Sequence, residues 1–156
     1  QVRKNLKFIG KDVEGQTFNI NGQDIVAAAN AEIFGDYENN KCTGQWSIVE
    51  GSTNIATGRA CHVEGAQNQA LNDGCHVEGV SCIASGYWSH AEGEMTRVTS
   101  YASHAEGSYT LASSENQHVQ GKFNIEDTEN KYAHIVGNGE IWCKTHSKSI
   151  FGDKTH

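Results

Sequence analysis

The stretch CHVEGAQNQALNDGCHVEG, residues 61–79, decides the fold, because it carries the pentapeptide Cys-His-Val-Glu-Gly twice, with starts fourteen residues apart. Reading outward, the pattern recurs as SIVEG from residue 47, SHAEG from 89 and 103, and QHVQG from 117. Six registers at one spacing signal stacked copies of a short coil, none of which can bury itself alone. Fourteen residues are too few for a helix-turn-helix unit, and the pattern inside each copy has a period of two, so the coils are expected to be built from strands.

Alternation assigns the faces. Within each pentapeptide the first, third and fifth residues are small or modest (Cys61, Val63, Gly65; Ser89, Ala91, Gly93), whereas the second and fourth are His and Glu. Successive strand residues point to opposite sides, so His62, Glu64, His76, Glu78, His90, Glu92, His104, Glu106 and His118 form one outward ladder. A weaker strand lies half a period later, with small residues again on alternate positions: Asn54, Ala56, Gly58; Cys82, Ala84, Gly86. Two short strands per coil describe a flattened parallel β-roll with nothing bulky between its sheets, and the recurrent glycines are expected at its tight corners.

Such a thin roll buries little apolar surface for its backbone entropy cost and is not expected to be stable alone. Association of three copies about a three-fold axis would supply the burial, with the His/Glu ladder lining the interior or rim of the trimer. Composition agrees with a small core. Of 156 residues only 37% are hydrophobic, with 17 Gly, no Pro and one Met. The formal charge of −7, with no cationic stripe, excludes nucleic acid and anionic membrane as expected partners. No apolar run approaches the roughly 20 residues a membrane helix needs. The start QVRKNLKFIG has neither Met nor a signal-peptide core, as expected of a fragment or processed product.

Chemical readings of the repeat compete with a structural one. Histidine at every register could form a metal ladder, with His90 or His104 as ligands, but stacking alone explains the repetition, so no metal and no cofactor are expected. Ser89-His90 and Ser103-His104 suggest a hydrolase, yet adjacent strand residues face opposite ways, and a serine cannot use its successor as base. Glutamates one strand spacing, about 4.8 Å, apart could raise one another's pKa. Cys61 and Cys75 take the inward slot that Ser89 and Ser103 fill elsewhere, and Cys82 faces inward from the second strand, so these read as small core residues. A disulfide among them is the alternative if the protein matures outside the cell. Neither they nor Cys42 and Cys143 form a Cys-x-x-Cys pair, so no zinc framework is expected.

The small-x-small-x-Gly pattern at this period resembles the head repeats of trimeric autotransporter adhesins, which implies a left-handed parallel β-roll that trimerises through its outward residues. The SHAEG repeats, introduced by AEIFGDYENN (31–40) and closed by QHVQGKFNIEDTENKYAHIVGNG (117–139), resemble more closely the tail proteins of Gram-positive phages and prophages. That likeness covers roughly residues 25–139. It implies a homotrimer attached to a preceding tail-spike shaft, in the virion or outside the cell, acting as intramolecular chaperone or distal tip. Two alternatives follow from it: an adhesin-like head that binds a host-surface polysaccharide or protein, and a part of a self-cleaving maturation peptidase. No cleavage residue maps onto a matching position; Asp36 and Glu38 are the nearest acidic candidates.

Both ends of a roll expose strand edges, which need covers. Residues 1–40 are expected to cap one end, with a hairpin turn at Asn21-Gly22 and a short helix over IVAAANAEIF (25–34). The repeat then occupies 41–121 and decays from Gln120. Residues 122–156 are expected to cap the other end and clamp three chains through Tyr132, Ile135, Trp142 and Phe151, Trp142 and Tyr132 being also the candidate glycan contacts.

Overall fold

The computed structural model describes residues 33–35 and 39–140 with their side chains, and the backbone of strands at Leu6–Lys7, Thr17–Ile20, Gln23–Val26, Glu32–Gly35 and Lys148–Asp153. The described residues are all β, with no helix. The N-terminal strands are β1 (Leu6–Lys7), β2 (Thr17–Ile20), β3 (Gln23–Val26) and β4 (Glu32–Gly35). Long and short strands then alternate: β5 (Lys41–Cys42), β6 (Ile48–Gly51), β7 (Ile55–Ala56), β8 (His62–Ala66), β9 (Gln69–Ala70), β10 (His76–Val80) and β11 (Ile83–Ala84). The series continues through β12 (His90–Glu94), β13 (Arg97–Val98), β14 (His104–Ser108), β15 (Leu111–Ala112), β16 (His118–Lys122), β17 (Tyr132–Asn138) and β18 (Lys148–Asp153).

From β4 to β17 each long strand pairs in parallel with the next, and from β8 to β16 the histidines lie side by side: His62 with His76, His76 with His90, His90 with His104, and His104 with His118. The short strands do the same in a second sheet, β5-β7-β9-β11-β13-β15, where Ala56 meets Ala70 and Ala70 meets Ala84. The result is a parallel β-solenoid of about seven turns. Eight parallel strands in the long sheet, at about 4.8 Å each, make a rod of roughly 34 Å.

The interior is as narrow as the alternation requires. Val49, Val63, Val77, Ala91, Ala105 and Val119 from the long strands meet Ala56, Ala70, Ala84, Val98 and Ala112 from the short ones, all fully buried. Two polar columns flank this core. Asn68 accepts from Cys82 N (2.8 Å) and donates to the Glu64 and Gly79 carbonyls (2.6 and 2.8 Å); Asn54 repeats the arrangement one turn earlier. Ser47, Cys61, Cys75, Ser89 and Ser103 fill the opposite column, their hydroxyl or thiol groups turned to backbone carbonyls. Cys61, Cys75 and Cys82 are buried thiols, as small core residues should be.

The corners differ from expectation. One column of left-handed residues runs Trp46, Ala60, Gly74, Trp88, Ala102, Asn116, Asn130, and the other Thr53, Gln67, Ser81, Met95, Tyr109, Phe123, so only one of thirteen is glycine. Each such non-glycine costs about 1–2 kcal/mol. The cost is offset because corner N–H groups donate to carbonyls of the preceding corner, as Ala102 N does to Tyr87 O (2.9 Å). Apart from Gly74, the glycines with positive φ lie at the end of the pentapeptide, while Gly44, Gly58 and Gly86 stand in the turns against the backbone of the next coil. Gly79, Gly93 and Gly107 sit at φ +103° to +105°, and a Cβ on any of them would lie 2.1 or 2.0 Å from the next glycine's carbonyl oxygen.

The sheet also runs past both expected domain boundaries. Ile33 and Gly35 of β4 pair with Val49 and Gly51, and His134 and Gly137 of β17 pair with His118 and Gly121. The helix expected over 25–34 gives way to β3 and β4 at its two ends, residues 27–31 lying outside the described residues. Pairing of Ile33 and Gly35 with their counterparts outweighs the helical preference of an alanine-rich run. Each end of the long sheet is covered by an antiparallel strand, β1 on β4 and β18 on β17, and β2 and β3 form the hairpin expected at Asn21-Gly22.

Candidate functional site

The outward face of the long sheet carries the predicted ladder. In-register pairing brings each histidine beside its copy, and the rings of His62, His76, His90, His104, His118 and His134 stack with centroids 4.4–4.9 Å apart. From His76 onward neighbouring ring planes lie within 8° of parallel. The carboxylates of Glu64, Glu78, Glu92 and Glu106 run alongside and, with Gly79, Gly93 and Gln120, line an open groove of about 530 Å³. His134 escaped the sequence reading, since two extra residues separate it from the fourteen-residue register; the x-His-x-x-Gly frame of AHIVG (133–137) is the signal that survives.

The two columns touch. His90 Nε2 lies 3.6 Å from Glu92 Oε2, His104 Nε2 lies 4.0 Å from Glu92 Oε1, and His118 Nε2 lies 3.3 Å from Glu106 Oε1. None of these contacts is aligned as a hydrogen bond: the Nε2 atoms of His76, His90, His104 and His118 are shielded from solvent and make none. The rest of each ring is open, with 31–42% of the side-chain surface exposed from His76 to His118.

Packing like charges in files shifts their protonation. Glu92 is pushed up to about 7, first by sharing a proton with Glu78, then by partial burial and by Glu106. Glu78 and Glu106 are correspondingly held below the usual carboxylate range, chiefly because protonated Glu92 donates to them. Burial, followed by repulsion from His104 and His76, pushes His90 down to about 4, and His104 is lowered chiefly by burial. At neutral pH His90 and His104 are therefore uncharged imidazoles beside a carboxyl–carboxylate file.

The geometry does not bring Ser89 and His90 together as a nucleophile and its base. Ser89 is buried and donates to Gly86 O at 2.6 Å, while His90 faces outward, so the two do not meet. Cys61 is held as a thiol, its ionisation opposed first by its hydrogen-bonding contact with Cys75 and then by burial, and it donates to Asn72 O at 3.1 Å.

Of the C-terminal residues singled out from the sequence, Ile135 lies in the roll's core beside Val119, and Tyr132 is half-buried against it, with Lys131 Nζ 5.5 Å from its ring centre. Phe151 lies on β18, whose backbone pairs with that of His134; Trp142, Asp36 and Glu38 lie outside the described residues. A second aromatic group was not anticipated. Trp46, Tyr87, Trp88 and Tyr101 stand exposed along one corner of the roll, Trp88 edge-on to Tyr101 at 5.5 Å and Trp46 under the Arg59 guanidinium at 5.1 Å. Trp46 and Trp88, and Tyr87 and Tyr101, lie at multiples of fourteen in the sequence, but only the corner, left-handed at Trp46 and Trp88, turns them outward. Comparison with protein-family models, curated proteins and solved structures found no match to the chain, so the reading of the site rests on its own geometry.

Proposed function

We propose that this chain is a structural trimerisation domain of a phage tail spike, appendage or fibre, in which three left-handed rolls pack with their His/Glu faces toward a common axis. In this reading it registers the chains of a preceding shaft, as a C-terminal intramolecular chaperone or distal tip, and works in the virion or outside the cell. One observation carries it. Four successive histidines present Nε2 atoms without hydrogen bonds on a face that is otherwise one-third open, and this unmet capacity supports packing of the face against further copies of the chain. The slender Val/Ala interior supports the same conclusion, because it leaves the roll short of apolar burial. Fusing the chain behind a monomeric reporter should turn the reporter trimeric, and Glu92→Lys, which sets three cations at the axis, should return it to monomer. A reporter that stays monomeric with the wild-type fusion contradicts the proposal.

The exposed corner aromatics favour a second reading, an adhesin-like head whose rings stack on a host-surface glycan. Binding to isolated cell-wall polysaccharide, lost in Trp88→Ala with trimer mass unchanged, would favour it; equal binding by that variant would remove the corner from consideration.

A further inference from the structure

We propose that the imidazoles of His90 and His104 and the carboxylate of Glu92 form a binding site for one divalent transition ion of the zinc class. The three ligand groups come from neighbouring turns, and their donor atoms all lie within 4.8 Å of one another. Glu92 is the centre of the arrangement: Oε2 faces His90 Nε2 at 3.6 Å and Oε1 faces His104 Nε2 at 4.0 Å. A tetrahedral ion with bonds of about 2.0–2.1 Å needs its donors about 3.3 Å apart, so His90 has to draw in toward Glu92 by about 0.3 Å and His104 by about 0.7 Å, and the two Nε2 atoms have to close from a separation of up to 4.8 Å. The parallel rings must tilt toward each other to do so, and their open outer surface leaves room for that movement.

The donor chemistry selects the ion. Two imidazoles with one carboxylate suit zinc, cobalt(II) or nickel(II), whereas calcium and magnesium prefer an all-oxygen shell. The Nε2 atoms of His90 and His104 are out of contact with water and have no hydrogen-bond partner, so an ion there displaces no bond of either imidazole and only the proton that Glu92 shares with Glu78. A tetrahedral ion held by three protein donors takes its fourth ligand from water or from another chain.

Two other groupings fix the expected stoichiometry. His104, Glu106 and His118 form an overlapping triad, but His104 has one Nε2 and cannot serve both, so these two triads hold one ion between them. Glu50, His62 and Glu64 form a separate group with a single imidazole, a poorer match to the same ion. His76 belongs to none of them and is the natural control.

The test is zinc binding to the intact chain by equilibrium dialysis and calorimetry, with zinc chloride as the probe and magnesium and calcium as competitors. One tight zinc per chain is expected, with affinity at least tenfold weaker in Glu92→Gln and in His104→Gln, unchanged in His76→Gln, and insensitive to magnesium or calcium. Nitrogen-15 NMR of the wild-type histidines gives a readout that no variant can spoil by misfolding: zinc should shift Nε2 of His90 and His104 and leave His76 in place. Absence of stoichiometric binding, equal affinity in folded His104→Gln, or shifts spread evenly over the ladder would overturn the assignment.

Discussion

The turns between residues 61 and 108 and the turn that follows Gly121 solve the same problem by different means. In the middle of the rod every backbone group meets a copy of itself. Asn68 links three strands in one stroke, and nothing larger than valine enters the core. After Gly121 the copy is lost, for two extra residues separate His118 from His134, and long polar side chains take over the ladder. Asn124 stands in for the missing short strand, accepting from Leu111 N at 2.7 Å and donating to Leu111 O at 2.9 Å. Asp127, nearly buried, accepts from Lys131 N, Tyr132 N and Gln117 Nε2 at 2.9, 2.8 and 3.0 Å. Inside the stack self-similarity lets one short asparagine serve successive turns in the same way. Where the stack ends, longer and different side chains are needed.

The sharpest way to break the middle is to add one carbon. Gly93→Ala puts a methyl group 2.1 Å from Gly107 O at φ +105°, which should cost roughly 3–5 kcal/mol and leave little folded protein by circular dichroism. Next come two polar deletions that weigh the regions against each other. Asn68→Ala strands buried Cys82 N without its acceptor and frees two partly buried carbonyls, at about 3 kcal/mol. Asp127→Ala should cost about 2–3 kcal/mol and, in hydrogen exchange, expose the amides of residues 131–138 while sparing those of 76–108. Uniform loss of protection along the rod would show that the end turn is not the separate device described here.

Protonation sharpens the comparison between the columns of the face itself. Glu92, raised from 4.5 to about 7, holds a proton in the folded state, so its contribution is complete below pH 4.5 and is lost as pH rises through about 7. His90, lowered from 6.5 to about 4, has the opposite sign: its contribution is complete above pH 6.5 and is lost as pH falls through about 4. The two nearly cancel across the same window. In metal-free buffer, Glu92→Gln should therefore lose stability on acidification and His90→Gln on alkalinisation, while the wild type stays flatter than either in urea melts from pH 4 to pH 7.

The smallest effect belongs to a corner. Ala102 sits at φ +49°, and Ala102→Gly exchanges a left-handed strain of about 1–2 kcal/mol for a glycine entropy cost of about 0.5–1 kcal/mol, a net gain of about half a kcal/mol readable as a slight rise in Tm.

How far these features were legible follows from the same contrast. Cys61, Val63, His62 and Glu64 could be given faces from the sequence because each recurs fourteen residues on, and periodicity is a signal that a single chain carries on its surface. Ile33 and Ile135 could not, although AEIFG and AHIVG keep the Ile-x-Gly frame, because the offset to the next copy is sixteen. The corners were misjudged for another reason. Their left-handed residues are held by hydrogen bonds from one corner to the next, a gain that exists only after stacking and that no local preference of Ala102 or Trp88 announces.

The central claim is that the His/Glu face is completed by two further copies of the chain. Sedimentation equilibrium of the purified chain at neutral pH tests it most directly: a mass three times that of one chain, reduced to one in Glu92→Lys, is the predicted result, and a folded wild-type monomer at micromolar concentration would contradict it.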